Sequence, residues 1–106
     1  MIETSRNPVA VLGCGGWGTA LAVHLASTGC PVRLWGRDEL LVRDLSESRE
    51  NSVYLPGTVL PESVEPMCSI EPALSGTRYV VVAVPSHGVR DLMRKLAGYV
   101  EPGVTI

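Results

Sequence analysis

Short apolar runs alternate with longer stretches of helical periodicity along the chain. Val9 to Leu12 run directly into a glycine, and a second short run, Val32 to Trp35, is apolar except for Arg33. The longest run, Tyr79 to Val84, is apolar at every position, which is typical of a central parallel strand covered by helices on both faces. A last run, Val104 to Ile106, begins as the chain ends. These segments predict strands.

The segments between these runs have the spacing of amphipathic helices. Gly16 to Thr28 is rich in Ala and Leu and lacks proline, and Gly29 is a natural stop. A second helix is expected from an N-cap at Asp38 to about Ser48. A third is predicted by apolar residues at i, i+3, i+4 and i+7, namely Val89, Leu92, Met93 and Leu96.

The least regular part of the sequence is Arg49 to Pro66. It contains Pro56, Pro61 and Pro66. Because proline lacks a backbone donor and disrupts regular ladders, we expect a long loop without strands here. Ser69 can then cap a short helix that ends at Leu74.

Alternating strands and helices predict an α/β fold, a doubly wound parallel sheet of the Rossmann type. With 106 residues, of which 45% are hydrophobic, we expect one domain, 1–106, with a real core. In such sheets the ligand lies beyond the carboxyl ends of the strands, where strand order reverses. The glycine turn, Gly36-Arg37 and Pro85 to His87 should line one crevice there. Because the last strand has only begun at Ile106, we expect a fragment truncated at its C-terminal strand.

The turn after the first strand has the glycine spacing of a dinucleotide-binding motif, G-x-G-x-x-G at Gly13, Gly15 and Gly18. The first glycine permits the tight turn, the second lets the backbone approach a pyrophosphate, and the third lets the helix pack against the strand. The N-terminus of the helix then favours a bound phosphate. An ordinary glycine-rich turn is the alternative, but the preceding strand and following helix match the context that the motif requires.

The end of the second strand bears on which dinucleotide is bound. A carboxylate that holds the adenosine ribose usually falls about 20 residues past the glycines. Here Gly36 occupies that place and Arg37 follows it. A guanidinium without that carboxylate suits the 2′-phosphate of NADP. Alternatively, Asp38 takes the ribose hydroxyls and restores NAD, or Arg37 is a surface residue paired with Asp38 or Glu39.

Other side chains leave alternatives open. Trp17 either packs beside the cofactor or wedges the helix against the turn. His87 has the location of a proton-transfer group, but a loop histidine that only forms hydrogen bonds is the simpler interpretation. Arg90, Arg94 and Lys95 are interpreted as the solvated face of their helix.

Composition excludes several classes of function. The formal net charge of −2 and the absence of a Lys/Arg run argue against nucleic-acid binding. No stretch has the character of a signal peptide or the length to cross a bilayer, so we expect no integral membrane segment. Cys14, Cys30 and Cys68 are widely spaced without a C-x-x-C pair, which indicates reduced thiols in a cytoplasmic protein. No cluster of residues predicts a metal site.

Four segments together resemble the N-terminal domain of NAD(P)-dependent glycerol-3-phosphate dehydrogenases of the bacterial type. In order they are GCGGWGTALA from Gly13, WGR from Trp35, REN-x-x-YLPG from Arg49 and VAVPSH from Val82. The resemblance covers nearly the whole chain. It implies the reversible reduction of dihydroxyacetone phosphate to sn-glycerol 3-phosphate, which feeds phospholipid synthesis.

The resemblance also implies site residues. Gly16, Trp17 and Arg37 match cofactor-binding positions of the family, and Tyr54 is expected to do so as well. The expected NADP or NAD site includes these residues and the rest of the turn, namely Gly13, Cys14, Gly15 and Gly18. Gly16 departs from the family, which often has Ser or Asn there. The family's catalytic lysine follows the strand that begins at Val104 and its helical substrate domain comes later, so no catalytic residue is assigned.

Two other functions stay open on the sequence alone. The chain could be a non-catalytic module that senses NAD(P), or the cofactor domain of another dehydrogenase of similar architecture, although YLPG argues against the latter. We also expect a homo-oligomer, because the unfinished edge strand leaves backbone groups unpaired.

Overall fold

A four-stranded parallel sheet with helices on both faces forms the centre of the computed structural model. The structure describes residues 7–84, 86–99, 103, 105 and 106, and only the backbone of residues 86 and 87. Its elements, in chain order, are β1 (Val9–Leu12), α1 (Gly16–Ser27), β2 (Val32–Trp35), α2 (Glu39–Ser48), β3 (Glu50–Asn51), β4 (Leu55–Val59), β5 (Val64–Met67), α3 (Ile70–Leu74), β6 (Tyr79–Val82) and α4 (Ser86–Leu96).

The strand order of the main sheet is β5-β2-β1-β6, and all neighbours are parallel. The chain therefore runs outward from β1 through β2 to β5 and then returns to the other side of β1 as β6. Strand order reverses between β1 and β6, which creates a switch point at their carboxyl ends. A single parallel bridge joins Thr105 to Tyr79, at the place of the predicted last strand, whereas Val104 lies outside the described residues.

Side chains of β1 alternate between two cores, as the twofold period of a strand requires. Val11 lies in a buried cluster with residues of α1 and α2, including Ala22 and Leu45. Ala10 and Leu12 lie in a second cluster on the other face. That cluster contains residues of α3 and α4, including Leu74, Leu92 and Leu96. Helices cover both faces, which confirms the predicted doubly wound fold.

The region from Arg49 to Pro66 is not a loop without strands, so that prediction was wrong. It forms the antiparallel hairpin of β3 and β4 and then the edge strand β5. Pro66 pairs in register with Leu34 of β2, on the strand that ends the sheet. Because an edge strand needs only half of its backbone groups for pairing, proline is tolerated there. Pro56 likewise lies in a sheet of only two strands.

The other predicted elements are present with small shifts at their ends. The Asp38 carboxylate accepts hydrogen bonds from the backbone N–H groups of Leu40 and Leu41, at 3.0 and 3.3 Å, which confirms the predicted N-cap of α2. Ser69 precedes α3 as predicted, but its side chain makes no capping hydrogen bond within the described part of the chain. β6 ends two residues before the predicted Val84, at Val82.

Candidate functional site

A cavity of about 330 Å3 opens at the carboxyl ends of β1, β2 and β6. Small-molecule sites have volumes of roughly 300–1,000 Å3 and are common at the switch points of α/β sheets. Residues of all three strand ends and of α4 line the cavity, among them Gly13, Gly15, Arg37, Ala83 and Lys95. The turn and Gly36-Arg37 therefore line one crevice, as predicted. Pro85 and the side chain of His87 lie outside the described residues.

The three glycines of the motif have different environments. A Cβ atom on Gly13, whose φ is +132°, would lie 2.4 Å from the carbonyl oxygen of Ala83, and one on Gly18 would lie 2.0 Å from the carbonyl oxygen of Gly13. The fold itself therefore requires both glycines. Gly15 has an ordinary φ of −72°, and a Cβ there would meet nothing within 4 Å. Gly15 leaves open space beside the backbone, and a ligand needs this space to approach the turn.

The turn leads into the N-terminus of α1, whose N-cap is Gly15. N–H groups in the first turn of a helix have no intrahelical acceptor, and the helix dipole adds partial positive charge there. The first turn, which begins at Gly16, carries no acidic residue that would repel an anion. The open space at Gly15 and these donors fit the pyrophosphate of a dinucleotide.

Gly16 lies against the β3–β4 hairpin. A Cβ there would be 2.7 Å from the backbone carbonyl oxygen of Tyr54. Glycine at this position therefore lets the hairpin approach the turn. Tyr54 is 55% exposed and lines the cavity. Trp17 is 73% exposed, so its side chain does not wedge α1 against the turn.

Asn51, whose role no sequence motif predicts, joins the hairpin to the turn by hydrogen bonds. Its side-chain Nδ2 donates to the backbone carbonyl of Cys14 and to Oγ1 of Thr19, both at 2.8 Å. Its Oδ1 accepts a hydrogen bond of 3.1 Å from the backbone N–H of Tyr54. Asn51 is fully buried. Only its place in the REN segment could have drawn attention to it, because no hydrophobic periodicity marks that position as buried.

The Cys14 thiol packs beneath the end of β2. Burial raises the pKa of Cys14 to about 12, so the thiol is protonated at neutral pH. A Cβ on Gly36 would lie 2.6 Å from the Cys14 sulfur atom. The position at which many dinucleotide-binding folds place a carboxylate is thus held by glycine and packed against a neutral thiol.

Charged side chains border the cavity on both sides. Arg37 and Asp38 come from the end of β2, and Asp91 and Lys95 come from α4. Arg90, Arg94 and Lys95 are exposed, as predicted, and Lys95 also lines the cavity because one edge of α4 faces it. Asp38 uses its Oδ1 atom to cap α2, which reduces its suitability as a ligand for ribose hydroxyls.

Comparison with known proteins agrees with this geometry. Residues 8–106 match the family model described as NAD-dependent glycerol-3-phosphate dehydrogenase N-terminus. The chain is 46% identical over 95 residues to glycerol-3-phosphate dehydrogenase [NAD(P)+] of Thioalkalivibrio sulfidiphilus, which covers 90% of this chain and 28% of that protein. It is 49% identical over 88 residues to the protein of the same name from Desulfotalea psychrophila, covering 83% of this chain and 26% of that protein.

A solved structure supports the same relationship. The crystal structure of glycerol-3-phosphate dehydrogenase from Coxiella burnetii matches with a TM-score of 0.91 and 31% identity, over 93% of this chain and 30% of that one. The chain spans about 28% of the length of the first curated relative. It belongs to the family of N-terminal domains of NAD-dependent glycerol-3-phosphate dehydrogenases.

Proposed function

We propose that this chain binds NADP or NAD in the cavity, as part of an enzyme that interconverts dihydroxyacetone phosphate and sn-glycerol 3-phosphate by hydride transfer. The observation that carries the proposal is the convergence of the glycine turn, the N-terminus of α1 and Arg37 on the switch point of the sheet. The relatives from Thioalkalivibrio sulfidiphilus and Desulfotalea psychrophila are named glycerol-3-phosphate dehydrogenase [NAD(P)+], which supports the reaction and the cofactor class.

In the proposed site, the glycine turn and the start of α1 bind the pyrophosphate of the cofactor. Gly13, Cys14 and Gly15 form the backbone of the turn, and the backbone N–H groups that begin at Gly16 bind the pyrophosphate. Gly18 keeps α1 close enough to the strand for this geometry. When bound, the nicotinamide accepts or donates the hydride.

Three side chains complete the proposed site. Arg37 meets the 2′-phosphate of NADP, because a planar guanidinium offers paired donors to a phosphate. Tyr54 contributes an aromatic ring at the edge of the cavity, and the exposed ring of Trp17 is available to the cofactor beside the first turn of α1. Gly36 presents no carboxylate that would repel the 2′-phosphate, which favours NADP over NAD.

We assign no catalytic residue within residues 1–106, and we propose that this range forms one cofactor-binding domain. The catalytic lysine and the helical substrate domain that the resemblance implies are expected outside it. The short share of the relatives' length that the chain spans supports this division.

We also propose a cytoplasmic location and a homo-oligomer. No helix in the described part of the chain has the length and apolar character to cross a membrane. Cys14 and Cys68 form no disulfide. Thr105 bridges Tyr79 on the outer side of β6, so the segment that holds Thr105 forms this edge of the sheet, and the backbone groups of an edge support pairing with a second copy. Light scattering over a wide concentration range tests the oligomer, and a monomer throughout contradicts it.

Calorimetric titration of the chain tests cofactor binding. NADPH and NADH should both bind and compete for one site, and NADPH should bind more tightly. ATP should bind more weakly than either, because it is a mononucleotide and lacks the nicotinamide half. Absence of dinucleotide binding, or equal affinity for ATP, contradicts the proposal. In the enzyme that carries this chain, dihydroxyacetone phosphate should support NADPH oxidation and unphosphorylated dihydroxyacetone should not.

A further inference from the structure

Asn51 occupies a position where each polar atom of its side chain is used. The side chain is 0% exposed, and a buried amide is costly unless its donors and acceptor are bonded. Its Oδ1 accepts from the Tyr54 N–H, so the two hydrogens on Nδ2 are left for Cys14 and Thr19. The Thr19 hydroxyl also reaches the Cys14 carbonyl, at 3.4 Å. The network thus fixes the orientation of the amide.

This network determines where the next peptide group points. A trans peptide is planar, and its C=O and N–H groups point in opposite directions. The Cys14 carbonyl is held toward the buried Asn51 and Thr19 side chains. The N–H of Gly15 belongs to the same peptide group, so it is directed away from these buried side chains. Gly15 is also the glycine that lines the cavity and has open space around it.

We propose that Asn51 is a positioning residue for cofactor binding. By holding the Cys14 carbonyl, Asn51 orients the Gly15 N–H toward the pyrophosphate, and by accepting from the Tyr54 N–H it keeps the hairpin at the edge of the same cavity. This inference rests on the proposed function of the cavity. The Asn51 side chain itself does not touch the cofactor.

An apolar side chain could fill the same volume, but it could not perform this role. It would leave the Cys14 carbonyl with the long Thr19 bond alone and the Tyr54 N–H without its Asn51 acceptor. The bonds join positions that are 37 and 32 residues apart in the chain. Asn51 therefore couples two separate segments of the site rather than completing a local turn.

Asn51→Asp is the sharpest variant, because it keeps the size of the side chain and replaces the donor with an oxygen. A carboxylate oxygen would then face the Cys14 carbonyl oxygen. We expect the Kd for NADPH to rise about tenfold or more, the loss associated with a disrupted buried hydrogen bond. The Kd for adenosine 2′-phosphate, which has no pyrophosphate, should change by less than about threefold, or roughly 0.7 kcal/mol.

Asn7→Asp is the matched control. It makes the same chemical change and adds the same charge at an exposed residue before β1, at the end of the sheet opposite the cavity. Its Kd for NADPH should equal that of the unmodified chain. A loss in Asn7→Asp as large as that in Asn51→Asp would overturn the inference, since net charge alone would then explain both.

Thr19→Val tests the positioning role of Asn51 if circular dichroism shows that Asn51→Asp does not fold. Valine removes the hydroxyl that accepts from Asn51, while the Asn51–Cys14 bond can persist. The hydroxyl takes part in two hydrogen bonds, but its bond to the Cys14 carbonyl is long and the 2.8 Å Asn51–Cys14 bond remains. We therefore expect a smaller loss, about threefold for NADPH, with adenosine 2′-phosphate unchanged.

The ratio of the two Kd values separates positioning from general stability. Equal weakening of both ligands, or no weakening of either, overturns the inference. If the unmodified chain binds neither NADPH nor NADH, the proposed function itself fails. If the unmodified chain binds NADPH and Asn51→Asp binds it equally well, only the inference about Asn51 fails.

Discussion

In the proposed site, Arg37 is the residue on which the choice between the two cofactors should depend most. It lines the cavity at the end of β2, and the neighbouring Gly36 offers no carboxylate to a ribose. A charge-assisted contact with the 2′-phosphate should contribute about 1.5–3 kcal/mol. Arg37→Ala should therefore weaken NADPH binding by about ten- to a hundredfold, while NADH changes little. Titrations with both cofactors at one salt concentration measure the ratio.

The control for this experiment is Arg43→Ala, which removes the same charge from an exposed position of α2. Salt is held constant because exposed ion pairs are screened. If Arg37→Ala weakens NADPH and NADH equally, Arg37 stacks on the adenine or supports the loop instead of binding the phosphate. If the two arginine variants behave alike, the predicted NADP preference is wrong.

Cys14 makes a distinct prediction about pH. Burial raises its pKa from 9.0 to about 12, so the folded chain keeps the thiol proton over a pH range in which the unfolded chain loses it. Because the unfolded state then binds fewer protons, the free energy of unfolding should fall as pH rises above 9. Cys14→Ala lacks this thiol and should lose less stability over the same range.

Urea unfolding of both chains at pH 8 and at a pH between 10 and 11 measures this difference. The comparison is needed because tyrosine also ionises near pH 10. Parallel losses of stability in the two chains would show that the Cys14 thiol does not contribute to the pH dependence.

At the level of elements, apolar runs predicted strands only where both faces of the strand are covered. β1 and β2 are inner strands and β6 lies beside β1, and their sequences are apolar except for Arg33 of β2. The sequence of β5 is Val-Glu-Pro-Met, with Glu65 exposed. An edge strand can contain such residues, so its pattern resembles a loop.

Tertiary hydrogen bonds hold this edge in place, and the sequence does not reveal them. Arg49 ends α2 with a φ of 59°, and its guanidinium donates to the carbonyls of Pro61 and Val64 at 2.6 and 2.8 Å. The Glu50 carboxylate accepts from the Gly57 N–H at 3.0 Å. The REN segment therefore holds β4 and β5 in place through hydrogen bonds that hydrophobic periodicity does not predict.

The candidate site also contains some residues that the sequence predicts and others that it does not. The glycine turn and Arg37 could be predicted because each follows directly from a strand end and a fixed spacing. Asn51 and Lys95 could not, because their roles depend on how distant segments pack. Asn51 meets Cys14 across 37 residues, and Lys95 reaches the cavity through the docking of α4 on the sheet.

Lys95 therefore gives a prediction about α4. As an exposed cation that lines the cavity, it should attract an anionic cofactor through a screened interaction worth up to about 1 kcal/mol. Lys95→Gln should weaken NADPH about two- to fivefold, and the effect should shrink at high salt. Arg94→Gln, one residue earlier on the exposed surface of α4, is the matched control. Equal effects of the two variants would contradict a local role for Lys95.

For the whole molecule, binding and folding are linked because the site exists only when three strand ends and two helices are assembled. A Cβ on Gly13 would lie 2.4 Å from the Ala83 carbonyl oxygen after β6, and one on Gly36 would lie 2.6 Å from the Cys14 sulfur atom, so these segments approach one another closely. A cofactor that contacts these segments binds the folded chain and not the unfolded one. Ligand at a hundred times its Kd should then add about 2.7 kcal/mol to the free energy of unfolding.

Thermal unfolding with and without NADPH measures this linkage. For a chain of about 100 residues each kcal/mol corresponds to roughly 4–8 °C, so Tm should rise by about 10 °C or more at that concentration. Gly15→Ala provides the decisive control. Its φ of −72° suits alanine, and the new methyl group meets nothing within 4 Å, so the variant should fold with an equal or slightly higher Tm.

The Gly15→Ala methyl group occupies the space through which the pyrophosphate approaches the turn, so NADPH should raise the Tm of this variant far less than that of the unmodified chain. Gly18→Ala should behave in the opposite way. Its Cβ would lie 2.0 Å from the Gly13 carbonyl oxygen, so Tm should fall before any ligand is added. If NADPH raises the Tm of Gly15→Ala as much as that of the unmodified chain, the cofactor binds somewhere other than the glycine turn.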